Sequence, residues 1–136
     1  VSLQAMALAA KEKHGGTDFV CILDARMEEV YWAQYRYADN RLQQVSAPEL
    51  SRIDDVSVSK LAKDTVIVVG EGVNLTDALH QFFHAECMPH AAYVARLGLL
   101  AHEAGLCVAP EDAQPLYLRN KIALTTAERM QAKAIT

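Results

Sequence analysis

At 136 residues, 51% of them hydrophobic and 22% charged, the chain has the size and make-up of one folded domain, which excludes an intrinsically disordered protein. Its net charge of −4, with Lys and Arg scattered along the chain, argues against strong independent nucleic-acid binding, which needs clustered cations on phosphates. No apolar run approaches the ~18–20 residues that span a bilayer, and the expectation is a chain without a signal peptide.

The three cysteines, Cys21, Cys87 and Cys107, are odd in number and far apart. Cys21 and Cys107 have apolar neighbours, so both are expected as reduced, buried thiols of a cytoplasmic protein. The basic residues gather only loosely, at Arg119, Lys121, Arg129 and Lys133. A helical pattern starting within two residues of Val1 suggests a fragment of something longer.

In chain order, Ser2 can cap a helix to about His14, with Leu3, Met6, Ala7 and Ala10 on one face and Gly15-Gly16 ending it. Phe19 to Leu23 is a continuous apolar run, expected for a strand covered on both faces. Val30 to Tyr37 alternates, placing Tyr31, Ala33, Tyr35 and Tyr37 on one side. The short Asp24–Glu29 connection predicts an antiparallel hairpin. Leu42 to Ser46 offers a third strand, stopped by Pro48.

Residues 49–64 are polar, with at most a helical turn around Val58 to Ala62. Thr65 to Val69 reads as a second buried strand before Gly70-Glu71-Gly72. Thr76 can cap a short helix reaching Phe83, and Tyr93, Leu97, Leu100, Ala101 and Ala104 recur at helical spacing from His90 to Ala104. Leu116-Tyr117-Leu118 is a candidate strand; the polar, Ala-rich remainder reads as a surface helix or tail. Strands interleaved with helices predict an α/β fold, a mixed sheet with flanking helices.

Four constellations could carry chemistry. His80 and His84 stand four apart on a predicted helix, near Glu86, Cys87 and His90, and such a face can grip zinc. The spacing is not His-Glu-x-x-His and no Cys-x-x-Cys accompanies it, so surface histidines are the stronger reading and no metal site is assigned. Gly70 and Gly72 after a strand are weak phosphate-loop candidates, because the third glycine and the Lys-Ser/Thr of a P-loop are missing. A turn needing positive φ explains them equally well. Asp24, Glu28 and Glu29 near Arg26 could do acid–base work, but hairpin turns carry such residues routinely. No Gly-x-Ser-x-Gly elbow is present, and no cysteine sits in an electropositive setting. No catalytic residue and no cofactor are assigned.

The run Ile22-Leu23-Asp24-Ala25-Arg26-Met27-Glu28-Glu29-Val30-Tyr31-Trp32-Ala33 resembles the Asp-Ala-Arg-Met-x-Glu-Val-Tyr hairpin of the TsaB (YeaZ) family. Pro115-Leu116-Tyr117-Leu118-Arg119-Asn120 is similar to that family's final Pro-x-Tyr-Leu-Arg strand. The family-motif residues are thus Asp24, Arg26, Glu29, Tyr31, Pro115, Tyr117 and Arg119. The resemblance covers Val1 to Asn120 and implies the C-terminal subdomain of an actin-like (ASKHA) fold over residues 1–124, followed by a tail over 125–136. It implies a non-catalytic scaffold or activator for threonylcarbamoylation of tRNA adenosine 37 (t6A). The implied partners are a TsaD-like transferase and a TsaE-like ATPase, engaged mainly through an absent N-terminal half that also forms a homodimer; tRNA would be met only indirectly. The older glycoprotease label finds no support in the residues. Two alternatives stay open: a stand-alone nucleotide-binding or hydrolase domain using Gly70 to Gly72, and an unrelated interaction module.

Overall fold

The computed structural model describes residues 2–114 and 126–135. Helix α1 (Ser2–His14) leads into strands β1 (Asp18–Arg26), β2 (Glu29–Ala38) and β3 (Arg41–Arg52). Strand β4 (Val66–Val69), helix α2 (Asp77–His80), strand β5 (Phe83–Glu86) and helix α3 (Ala91–Glu103) follow. Helix α4 (Thr126–Ile135) lies in the polar C-terminal stretch where a surface helix or tail was expected.

The five strands form one mixed sheet in the order β3-β2-β1-β4-β5. Strand β1 pairs antiparallel with β2 and parallel with β4, and β4 pairs parallel with β5. The α/β class and the central hairpin therefore match the expectation from sequence. The apolar runs sit where both faces are covered: Phe19, Val20, Cys21, Ile22, Ile67 and Val68 are fully buried.

Strand alternation divides that burial into two cores. On one face Phe19, Cys21, Ala33, Tyr35, Val66 and Val68 meet Leu3, Met6, Ala7 and Ala10 of α1. On the other, Val20, Ile22, Val30, Ile67 and Val69 meet Val56 and Leu79. Helix α1 is itself buried almost all round between Leu3 and Ala10, because α3 lies over its outer side. Gly15 and Gly16, at φ 73° and 98°, end that helix as its C-terminal signal predicts.

Three local expectations need correction. Strand β3 does not stop at Pro48 but runs on to Arg52. It is the outer strand of the sheet, and its pairing with β2 slips between Trp32 and Tyr35, where a ladder can spare the missing N–H. No α-helix forms at Val58 to Ala62; the segment holds a short 3-10 turn at Ile53–Asp55 instead, and Val56, Val58 and Leu61 pack onto the second core as irregular chain. The helix capped by Thr76 ends at His80 rather than Phe83, because Phe83–Glu86 joins β4 as a parallel edge strand. The cap itself is present, with the Thr76 hydroxyl accepting from Leu79 N.

Candidate functional site at the hairpin end of the sheet

The β1–β2 hairpin turns on just two residues, Met27 and Glu28, both left-handed at φ 55° and 63°. Arg26 before them is left-handed as well, at φ 65°. Each such non-glycine residue is uphill by about 1 kcal/mol or more, so something must hold the turn. Asp24 contributes: its carboxylate accepts the Arg26 amide at 3.1 Å, where the β1–β2 register shifts by a residue. The Asp-Ala-Arg part of the motif thus has a backbone role in shaping the bulge.

Tyr31 stands between Leu23 of β1 and Leu50 of β3 and packs half-buried against the α1-side core. Trp32 points to the opposite face, where its indole N–H donates to the Ser51 hydroxyl at 2.9 Å. That bond ties the end of β3 to β2 directly behind the turn.

Gly70, Glu71 and Gly72 leave β4 beside this hairpin. The Gly70 amide donates to the Ile22 carbonyl at 2.9 Å, extending the parallel ladder by one bond. A Cβ on Gly70 would lie 2.6 Å from Leu23 Cδ2 and 3.1 Å from the sulfur of Met88, so a side chain here would require both of those side-chain ends to shift. Gly72 differs: it has φ 83° and open space around it.

Gly72, Val73 and Asn74 line a shallow concavity of about 220 Å³ with Asp24, Glu28, Glu29 and Arg52. The structure therefore brings Asp24, Glu29 and Gly72 together, and leaves Tyr31 outside, on the far side of β2. Three carboxylates face one guanidinium, and the Arg52–Glu28 pair is exposed and long at 3.9 Å. Such a rim repels phosphate and favours a cationic surface. The helix after the glycines has only four residues, with Asp77 in its first turn, so it adds little pull on an anion.

The histidines are rearranged relative to the sequence expectation. His80 closes α2 while His84 lies in β5, so they do not share a helix face. Their rings still meet edge-on at 5.3 Å. Among the described residues no three His, Cys, Asp or Glu side chains gather as a metal-ligand group. His90 instead caps α3, its Nδ1 accepting from Ala92 N.

Cys21 is buried as expected, and burial, with Cys87 nearby, pushes its thiol well above the ordinary value. Cys107 is exposed, contrary to expectation. It follows the end of α3 on a segment whose apolar neighbours Leu106 and Val108 are exposed with it, so local hydrophobicity misled. Pro115, Tyr117 and Arg119 lie outside the described residues.

Sequence reasoning also missed a larger groove of about 750 Å³ between α3 and the start of β3, floored by Leu42, Val94, Leu97 and Leu100. No residue of α3 is fully buried. The signal was present in the Leu-Gly-Leu-Leu-Ala run, apolar on more than one helix face.

The fold is α/β, a mixed five-stranded sheet with α1 across one face. Two solved structures share it: YeaZ from Pseudomonas aeruginosa, at TM-score 0.72 and 24% identity over 85% of this chain and 57% of that one, and a Pseudomonas aeruginosa protein described as uncharacterised with similarity to peptidase YeaZ, at TM-score 0.71 and 25% identity over 87% and 56%. No family model matches the chain. The tRNA threonylcarbamoyladenosine biosynthesis protein TsaB of Escherichia coli is 30% identical over 90% of the chain, and that of Haemophilus influenzae 27% identical over 89%. Over nine-tenths of its length the chain is thus similar to TsaB proteins. It spans 56% of the length of both curated relatives.

Proposed function

We propose that the chain serves the formation of threonylcarbamoyladenosine in tRNA as a non-catalytic scaffold, working in the cytoplasm with a TsaD-like transferase and a TsaE-like ATPase. The observation that supports this best is the match to TsaB relatives over nine-tenths of the chain, with the Asp24–Tyr31 hairpin set at one end of the sheet. The chemistry of the site agrees with a scaffold. The concavity holds carboxylates without an activated nucleophile, and the buried Cys21 thiol is held in its unreactive form. Among the residues lining the concavity there is no serine, threonine or cysteine nucleophile for the peptidase chemistry named for one structural neighbour.

On this reading, homodimer formation and most transferase contact belong to the part of the relatives that this chain does not span. The chain's own contribution is to support that part, with tRNA reached through the partners. A reconstituted reaction tests it. The chain is fused to the unmatched portion of the Escherichia coli relative and mixed with transferase, ATPase, ATP, threonylcarbamoyl-AMP and acceptor tRNA. Adenosine modification that depends on the fusion supports the scaffold. Equal modification without it, or modification by the chain without the transferase, overturns it.

A further inference from the structure

Beside the hairpin concavity, a methionine sulfur makes a hydrogen bond to the backbone. Met88 follows β5, is 50% exposed, and its sulfur accepts the Glu71 amide at 3.0 Å. The contact fits because residue 70 is glycine: the same sulfur would lie 3.1 Å from a Cβ there. Met88 therefore pins the Gly70-Glu71-Gly72 segment from the side, and Gly72 forms part of the concavity wall with Asp24 and Glu29. Thioethers are weak acceptors and adaptable fillers, so a sulfur used as the acceptor for a loop amide stands out.

From this geometry we propose that Met88 is a redox-sensitive modification site whose oxidation by peroxide releases the Gly70–Gly72 loop and alters the concavity. The step balances without further reagents. The sulfur lone pair attacks one oxygen of hydrogen peroxide, an S–O bond forms, the O–O bond breaks, and water leaves; sulfur is oxidised as peroxide is reduced. The residue is half-exposed, so peroxide can reach the side chain.

The consequence follows from distance. At 3.0 Å between nitrogen and sulfur, no oxygen fits in the line of the bond. A sulfoxide oxygen turned toward Glu71 must move the loop or Met88 by about 1 Å to reach ordinary N–H···O separation. An oxygen turned to solvent leaves the amide on a poorer sulfur acceptor. One epimer displaces the present contact and the other weakens it. The inference concerns this chain's own residues and does not depend on the scaffold reading.

Hydrogen peroxide treatment of the chain, read by site-resolved mass spectrometry and by the amide resonances of Glu71 and Gly72, tests it. Met27 at 66% exposure and Met130 at 67% are internal positive controls, and buried Met6 is the negative one. Met88 is expected to gain one oxygen alongside the exposed pair. Glu71 amide exchange should then rise by up to roughly fivefold, the equivalent of one ordinary hydrogen bond being the upper bound for a weak thioether acceptor, and methionine sulfoxide reductases should restore the original resonances. Met88→Leu should show the faster exchange from the start, with no further response to peroxide. Met88 staying reduced while Met27 and Met130 oxidise would overturn the proposal. So would an oxidised Met88 with unchanged Glu71 exchange, or a peroxide response at Glu71 that persists in Met88→Leu.

Discussion

Asp24 and Arg26 are joined across a register slip: the carboxylate of one accepts the amide of the other at 3.1 Å, at the point where β1 gains a residue on β2. The bond satisfies a backbone donor that the bulge takes out of the ladder, and it steadies the first of three left-handed residues. Asp24→Ala should therefore destabilise the chain by about 1 kcal/mol, the usual net worth of one such bond. Asp24→Asn keeps an acceptor and should lose less than half of that. Urea denaturation of the two variants checks the ordering, and equal losses would show that the carboxylate does not hold the turn.

The second hairpin has the opposite relation to its residues. Asp39 and Asn40 both lie at positive φ, 54° and 59°, as the two central residues of a type I′ turn. Asn tolerates that region better than most residues, but glycine is the preferred occupant of the second position. Asn40→Gly is expected to stabilise the fold by a few tenths to about 1 kcal/mol. A fall in thermal midpoint would mean that the Asn40 side chain supports the turn in some further way.

How much of this could be read beforehand depends on where tertiary pairing overrides local pattern. The β1–β2 hairpin was legible because Phe19–Leu23 is too apolar for anything but a two-sided strand and Tyr31, Ala33, Tyr35 and Tyr37 alternate cleanly. Strand β5 was not: Phe83-His84-Ala85-Glu86 has no strand signal of its own and exists by pairing with Val66–Val69. Pro48 misled because proline ordinarily stops a strand, whereas β3 is an edge strand and tolerates it. At the site, the motif residues were found by resemblance; what placed Asp24 and Glu29 beside Gly72 was the parallel β1–β4 pairing, a long-range fact that no local spacing carries. Met88 gave no signal, since its role depends on a backbone amide seventeen residues away.

Thr65, just before β4, is fully buried, and its hydroxyl oxygen has no hydrogen-bond partner among the described residues. A buried hydroxyl left unsatisfied is unfavourable by about 1–3 kcal/mol, while valine has nearly the same shape and no such need. Thr65→Val should raise the midpoint of thermal unfolding by an amount equivalent to about 1 kcal/mol. A clear loss of stability would reveal a water or partner that satisfies the hydroxyl.

The two buried acids, Cys21 and Tyr35, lead to an expected loss of stability at alkaline pH. Burial and then the nearby Cys87 raise the Cys21 thiol; burial and then Cys21 raise the Tyr35 phenol. Both groups therefore stay protonated in the folded chain at pH values where the unfolded chain ionises them. Their stability contribution is intact below the unfolded values, about 8.5 for Cys and about 10 for Tyr, and shrinks as pH climbs above each. The thermal midpoint should accordingly fall in two overlapping stages above about pH 8.5. Cys21→Ala should remove the first stage while lowering stability at neutral pH through the cavity it leaves. A first stage of unchanged size in that variant would place its origin elsewhere.

The last prediction separates burial from hydrophobicity. Ile22 and Leu99 are both large aliphatic residues, yet Ile22 is wholly buried on the central strand and Leu99 is 58% exposed on α3. Ile22 sits between Trp32 on β2 and Val69 on β4, with its side chain in the core opposite α1. Aspartate there would bury a carboxylate with no cation beside it among the residues of that core, at a loss of several kcal/mol, enough to unfold a domain of this size. Aspartate at position 99 meets solvent, and a change within about 0.5 kcal/mol is expected. Parallel chemical denaturation of the two variants decides the matter. If Ile22→Asp unfolds like the parent, the strand is not central and the sheet order is wrong. If Leu99→Asp instead unfolds the chain, the outer face of α3 supports the fold itself.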